Sequence, residues 1–373
     1  MKVLIAGGGT GGHLYPGVAL AEEVVTRKKG NEVLFVGTRR GLEARVVPQL
    51  GYPIEFIDVS GLKRTGLLDR VKGLFRLPAA LLASARIVRR FQPDVAIGVG
   101  GYASGPALLA AWLLGVPTVI TEQNTVPGVT NRILGRLVAE VHVTFGHSAR
   151  FFPEKKVVAS GNPIRRQLLD NFLRSKVEGN GKLNLLVLGG SQGAHAVNLR
   201  MVEAASALLG ALGEQVRVVH QTGKNDEALV RQGYQELGID AEVHAFIDDV
   251  SAAYRRADLV VCRAGATTLA EVTVAKKPAI LIPYPFAADN HQELNGQAMV
   301  EGGAAVMLLE RELDGRRLAE EILGIGRDPA RLEAMAQASA RLGRPEAARE
   351  IVDACDQLIR RRRAARGPKE KQA

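Results

Sequence analysis

The chain has 373 residues, of which 46% are hydrophobic and 24% charged, the balance of a folded globular protein. That length suggests two domains, and the composition excludes a disordered or fibrous chain. The net charge of +10 is concentrated in two basic patches that would attract a polyanion or an anionic membrane: residues 62–90 hold eight basic residues against one acid, and residues 359–373 hold seven against one.

Met1-Lys2 leads into only four apolar residues before Gly7, too few for the core of a signal peptide. Residues 2–6 read as a buried strand, 18–25 as a helix and 32–36 as the next strand. Residues 95–99 and 116–121 continue the series, which is the βαβ signature of a parallel sheet with helices on both faces. The longest apolar run, 107–114, stops at Gly115 and Pro117 and is too short to cross a membrane. The chain is therefore expected to be cytoplasmic and soluble, or to sit on a membrane without crossing it.

The series restarts after Gly161-Asn162-Pro163. Residues 183–188 read as a strand, 189–194 as a glycine-rich turn, and 215–221, 241–247, 258–262 and 278–283 as further strands. Residues 172–182 read as a surface loop. Residues 331–363 are helical by period and end in four arginines, and the tail beyond Ala364 is expected to be disordered. The expected organisation is an N-terminal domain over 1–162, a C-terminal domain over 163–342, a helix over 343–363 that packs back on the first domain, and a basic tail over 364–373. Cys262 and Cys355 are expected to be buried free thiols.

Each half opens with a strand and a glycine-rich loop. The first loop is Gly7-Gly8-Gly9-Thr10-Gly11-Gly12-His13. Glycine lets the backbone turn sharply and approach a phosphate, and the helix that follows offers N–H groups and a positive dipole end. Gly7, Gly9 and Gly12 formally match the dinucleotide fingerprint. That site also wants an acid at the end of the second strand, where this chain has Gly37-Thr38-Arg39-Arg40. The arginines keep an NADP enzyme open as an alternative. The second loop is Gly189-Gly190-Ser191-Gln192-Gly193-Ala194. Gly100-Gly101-Tyr102 and Arg263-Ala264-Gly265-Ala266 form two further strand–helix turns.

These loops, taken in order with Glu122-Gln123-Asn124, Gly161-Asn162-Pro163 and Arg165, Phe246-Ile247-Asp248-Asp249, Glu271 and Asp289-Asn290-His291-Gln292, resemble the MurG family of bacterial N-acetylglucosaminyltransferases. The likeness runs from about Lys2 to about Ala347. It implies a GT-B fold, two Rossmann-like α/β domains whose parallel sheets face a central cleft. The implied reaction moves GlcNAc, with inversion, from UDP-GlcNAc to the C4 hydroxyl of undecaprenyl-diphospho-MurNAc-pentapeptide (lipid I), giving lipid II for peptidoglycan. The resemblance further implies a peripheral protein on the cytoplasmic face of the membrane, an anionic membrane surface as partner, and contacts with cell-wall or division proteins.

Carried onto this chain, the resemblance puts Ser191 and its loop on the donor diphosphate. Arg165 and the backbone at Ile247 would lie near the uracil and its phosphate side. Glu271 would accept from the ribose hydroxyls, at the end of a donor-binding run that starts with Ala266, Thr267, Thr268, Leu269 and Ala270. Asn124 and Gln292 would read GlcNAc hydroxyls, and Thr10, Gly11 and Gly12 would cradle anionic groups. Two positions depart from the family: Thr121 stands where some members have histidine, and His291 where some have a second glutamine.

His13 is the best candidate base, because it closes the loop at a helix start and titrates near neutrality. It could equally be a structural histidine holding the loop. Glu271, four residues into its helix, could be a first-turn glutamate favoured by the helix dipole. Gln292, Asn124 and Arg165 also read as a loop amide, a turn residue and a surface charge. No metal or other cofactor is expected: there is no Asp-x-Asp, no Cys-x-x-Cys and no ligand-spaced histidine pair. Nucleic-acid binding is disfavoured, since one Trp and few aromatics leave little for stacking. A UDP-GlcNAc 2-epimerase stays open within the same fold.

Overall fold

A computed structural model describes residues 1–59, 67–172, 181–190 and 193–366, with backbone alone for 67–76 and 366. The chain divides into two compact units, Met1–Arg166 with Glu346–Ala373, and Gln167–Pro345.

The first unit is built on seven strands: β1 (Lys2–Ala6), β2 (Glu32–Gly37), β3 (Ile54–Phe56), β4 (Val95–Gly98), β5 (Thr118–Glu122), β6 (Glu140–Val143) and β7 (Val157–Val158). Their order is β3-β2-β1-β4-β5-β6-β7, with each pair of neighbours parallel. A strand at the centre of such a sheet is buried on both faces and so reads as a continuous apolar run. In β1, Val3 and Ile5 pack on one face with the helices Gly11–Arg27 and Ala347–Arg366. Leu4 and Ala6 pack on the other with Ile87, Ala107 and Leu108, from the helices Leu67–Phe91 and Ser104–Leu113.

The stretch expected to be one helix over 331–363 is two, Pro329–Leu342 and Ala347–Arg366. Pro345 lies between them; it has no N–H to give a helix, and its ring disfavours helical backbone at Arg344. The second helix buries Ile351, Val352, Cys355 and Ile359 against the first unit. Arg27 fastens it, donating from Nη1 to Asp353 Oδ1 (2.6 Å) and from Nη2 to the Arg349 carbonyl (2.7 Å). Arg363 Nη2 reaches Asp94 Oδ1 at 2.9 Å. This helix runs on to Arg366, so the expected start of a disordered tail at 364 is too early; residues beyond 366 lie outside the described ones.

The second unit holds β8 (Leu183–Leu188), β9 (Val216–Gln221), β10 (Asp240–His244), β11 (Leu259–Cys262), β12 (Ala279–Leu281) and β13 (Ala305–Met307), ordered β10-β9-β8-β11-β12-β13 and parallel throughout. Leu185 and Val187 of β8 pack with Met201, Ala204 and Leu208 of the helix His195–Leu212 and with Leu318 and Ile322 of the helix Gly315–Gly326. The strands expected to reach Ile247 and Pro283 stop at His244 and Leu281, and the remaining residues become loops at the carboxyl edge. Most of the expected surface loop over 172–182 falls outside the described residues. Both cysteines are free and buried. Among the described residues, no helix is long and apolar enough to cross a membrane.

Candidate active site

In each unit the strand order reverses beside the strand that carries the glycine-rich loop, between β1 and β4 and between β8 and β11. Ligands of open α/β sheets bind outside the carboxyl ends of the strands at this switch point.

In the first unit Gly7, Gly8 and Gly9 all have positive φ (151°, 135° and 94°), a path that side chains rarely follow. The Gly7 N–H donates to the Val36 carbonyl (3.0 Å) and the Gly8 N–H to the Gly100 carbonyl (3.3 Å), so the loop after β1 is tied to the ends of β2 and β4. A Cβ on Gly101 would collide with the Gly8 backbone, and one on Gly100 would strike the His13 ring. The two glycine turns thus close on each other, with the half-buried His13 ring lying on the second. Thr10 is the N-cap of the helix Gly11–Arg27; its side chain makes no capping bond, and the first turn contains no acid. This helix end keeps its positive field for an anion.

Glu43, which the sequence reading missed, lies beneath this loop. It is the first residue of the helix Glu43–Gln49 and is almost fully buried. Its Oε2 accepts the Gly9 N–H (2.7 Å), and its Oε1 accepts the Thr38 N–H (2.8 Å) and hydroxyl (3.0 Å). Side chains at Gly8 or Gly41 would overlap its carboxylate, and one at Gly37 would overlap its Cγ. The acid sought at the end of the second strand is present a few residues later, but it serves the loop's own backbone. A ribose would find these acceptor positions taken, which argues against the dinucleotide alternative.

Asn124 follows β5 directly. Its N–H donates to Glu122 Oε1 (3.0 Å), and the other carboxylate oxygen accepts from Asn131 Nδ2 (2.8 Å). Burial raises the Glu122 pKa, against the hydrogen bonds that favour its charge. Arg165 belongs to the first unit, its guanidinium 4.8 Å from the centre of the Tyr15 ring.

In the second unit Gly190 and Gly193 have positive φ, the Gly189 N–H donates to the Gln221 carbonyl (3.0 Å), and Gln221 Nε2 donates to the Gly190 carbonyl (2.9 Å). Ser191, expected at the diphosphate, lies outside the described residues, as does Gln192. Behind the loop sits a buried polar chain. His220 Nε2 donates to Asn198 Oδ1 (3.0 Å), which leaves Nδ1 to accept from the Tyr234 hydroxyl (2.8 Å). Asn198 Nδ2 donates to the Thr222 carbonyl (2.9 Å) and to Asp226 Oδ2 (2.8 Å). Burial lowers the His220 pKa to about 3, so its ring is neutral. The chain ties the first turn of the helix His195–Leu212 to β9.

Ile247 lies half-buried in the loop after β10. Ala266, Thr267, Thr268, Leu269, Ala270 and Glu271 share the helix Ala266–Val274, which starts at Gly265 with no capping side chain and no acid in its first turn. Glu271 is therefore past the first turn, which removes the dipole explanation for it. The buried Tyr254 hydroxyl stands 3.5 Å from its Oε2. Gln292 Oε1 accepts the Tyr284 N–H (3.0 Å), so this amide oxygen holds the loop after β12. Asn295 Nδ2 reaches the Ala264 carbonyl (3.3 Å) and joins that loop's helix to the turn after β11. Ile247 in its loop, the helix carrying the 266–271 run and Gln292 at the start of the helix His291–Glu301 thus share the carboxyl edge of one sheet. Thr10, Gly11, Gly12, His13 and Asn124 share that edge of the other. Among the described residues, no group of three His, Cys, Asp or Glu side chains is placed to hold a metal.

Residues 3–143 match the glycosyltransferase family 28 N-terminal domain, and residues 184–351 match its C-terminal domain. The chain belongs to glycosyltransferase family 28. A family relative from Myxococcus xanthus, UDP-N-acetylglucosamine--N-acetylmuramyl-(pentapeptide) pyrophosphoryl-undecaprenol N-acetylglucosamine transferase, is 58% identical over 96% of this chain and 93% of its own. The crystal structure of Acinetobacter baumannii MurG superposes with a TM-score of 0.79 at 30% identity, over 95% of this chain and 99% of that one. The two parallel α/β units are those of the GT-B fold. A putative UDP-N-acetylglucosamine 2-epimerase from Listeria monocytogenes, at 14% identity and a TM-score of 0.65 over 95% of each chain, shares the fold alone.

Proposed function

We propose that this family 28 enzyme transfers GlcNAc from UDP-GlcNAc to the C4 hydroxyl of undecaprenyl-diphospho-MurNAc-pentapeptide, converting lipid I to lipid II with inversion at the anomeric carbon. The 58% identity to the Myxococcus xanthus transferase over nearly the whole chain carries this reading. The two uncapped helix starts behind glycine turns suit a substrate pair in which both members carry a diphosphate.

The donor binds the second unit. Glu271 accepts from the ribose hydroxyls, and Gln292 reads the sugar. The acceptor binds the first unit at Thr10, Gly11 and Gly12. His13 takes the proton of the C4 hydroxyl as its oxygen bonds to the anomeric carbon, the bond from that carbon to the diphosphate breaks, and UDP leaves. Backbone N–H groups and the helix dipole stabilise the charge that gathers on the leaving diphosphate.

The acceptor is anchored in a bilayer, so the enzyme works at the surface of one, on its cytoplasmic face. Of the basic patch over 62–90, residues 62–66 lie outside the described ones, and the backbone is helical from Leu67. Two helices that pack together expose large apolar side chains, Leu77 and Leu82 on Leu67–Phe91 and Trp112 and Leu113 on Ser104–Leu113. Such a face, beside the cationic stretch, would enter the interface reversibly.

Incubation with radiolabelled UDP-GlcNAc and a lipid I analogue tests the reading. Label in the lipid product supports it, and label released as free sugar or as an epimer rejects it.

A further inference from the structure

The first unit contains a cavity of about 890 Å³ that the assignments above leave unused. It opens at the carboxyl ends of β1, β2 and β3. Its walls come from Gly9 of the first glycine loop, Thr38 to Gly41 after β2, Phe56 to Val59 at the end of β3, and Tyr102 of the second glycine turn. The helix Leu67–Phe91 contributes Ala79, Ala80 and Ala83 to the lining. A volume of this order holds a drug-sized group.

The chemistry of the walls is mixed. Arg39 and Arg40 are exposed and make no ion pair among the described residues. The Arg39 guanidinium is held 5.0 Å from the centre of the Phe56 ring, which orders its fork without satisfying its donors. Asp58, also exposed, lines the same cavity. A diphosphate offers only acceptors and negative charge; the arginines would suit it, but Asp58 would repel it. A short peptide offers carboxylates for the arginines, N–H groups for Asp58, and small apolar side chains for the alanine wall and the Phe56 and Tyr102 rings.

We propose that this cavity receives the peptide arm of the acceptor, with Arg39 and Arg40 pairing its carboxylates. The proposal rests on the acceptor reading above. N-acetylmuramic acid carries its peptide on the carbon next to the reacting C4, so the arm leaves the sugar close to whatever meets that hydroxyl. Gly9 is both a wall of the cavity and part of the loop that ends in His13. Five residues extended span about 17 Å, enough to run from that loop along the cavity. Guanidiniums grip carboxylates bidentately, so Arg39 and Arg40 would also select for the free carboxylates of the peptide.

The test uses the full-length enzyme and two acceptors on the same short polyprenyl diphosphate, one with the pentapeptide and one cut back to its first residue. For the Arg39→Ala/Arg40→Ala variant, KM for the pentapeptide acceptor should rise about tenfold, the loss expected for one charged hydrogen bond. KM for UDP-GlcNAc and for the shortened acceptor should move less than about twofold by the same measure. The Arg39→Lys/Arg40→Lys variant, which keeps charge but not the fork, should fall between and guards against a folding defect. An equal rise for both acceptors would assign the arginines to the diphosphate and overturn the proposal, and so would no change for either. Failure of the unaltered enzyme to glycosylate either acceptor would overturn the transferase reading itself.

Discussion

The carboxylate of Glu43 accepts the N–H of Gly9 at 2.7 Å, with its other oxygen on Thr38. A buried acid thus holds the first glycine loop from below, and three glycines around it leave the room it needs. Glu43 touches no substrate in this arrangement; it positions the loop that ends in His13.

Glu43→Gln should therefore act on the acceptor step. The amide fits the space but presents an NH2 donor where an oxygen accepted, so either Gly9 or Thr38 loses its partner. An unpaired buried donor costs about 1–3 kcal/mol. The expected outcome is a raised acceptor KM and lowered kcat with unchanged UDP affinity in calorimetry. A fall in UDP affinity equal to the fall in turnover would mean that the loop is not an acceptor element.

His220 gives the second unit a pH-dependent stability. Its ring titrates at about 3 when folded and near 6.5 when free. Between those values the unfolded chain binds a proton that the folded chain does not. Stability is full above pH about 6.5 and is lost as pH falls towards 3, by about 2 kcal/mol at pH 5 on the scale of 1.4 kcal/mol per unit. Urea unfolding at pH 7 and pH 5 should show a larger drop for the natural chain than for His220→Gln, which cannot take up the proton. Equal drops in both would assign the loss to other groups.

The strands nearest each sheet's centre were legible because burial on both faces makes them continuous apolar runs, as in β1 and β8. The glycine loops were legible because positive φ leaves a mark in residue type. Glu43 was not, because its partners are backbone groups and its role depends on space cleared by Gly8, Gly37 and Gly41. His220 looked like any polar residue in a strand, since only the fold brings Asn198 and Tyr234 to its two nitrogens. The helix over 331–363 was read across Gly343-Arg344-Pro345 because apolar spacing on either side of the break keeps the helical period.

Glu271 is the donor contact most open to test. It lies beyond the first turn of its helix, so the dipole does not explain it. Glu271→Ala should weaken UDP binding roughly tenfold or more, the loss of charged hydrogen bonds to hydroxyls. Glu271→Gln should fall between, since it keeps one acceptor oxygen without the charge. Calorimetry with UDP reads both, and unchanged affinity in the alanine variant would remove Glu271 from the site.

Trp112 is the one tryptophan of the chain, and it is 42% exposed at the end of the helix Ser104–Leu113. Its neighbour Leu113 is 60% exposed, as is Leu82 on the adjoining helix. Intrinsic fluorescence therefore reports on this face without a label. If the face enters a bilayer, anionic vesicles should shift the emission to the blue, because the indole leaves water for the headgroup boundary. The cations of the 62–90 stretch each add about 1 kcal/mol near an anionic surface, so the shift should weaken as salt is raised. Vesicles of neutral lipid should leave the spectrum almost unchanged. Leu82→Ser with Leu113→Ser should reduce co-sedimentation with anionic vesicles while UDP affinity stays intact, because both side chains are exposed on the first unit and the donor site is assigned to the second. A spectrum that ignores anionic lipid, with co-sedimentation unaffected by the serine pair, would mean that the exposed apolar side chains are not the part that meets the membrane.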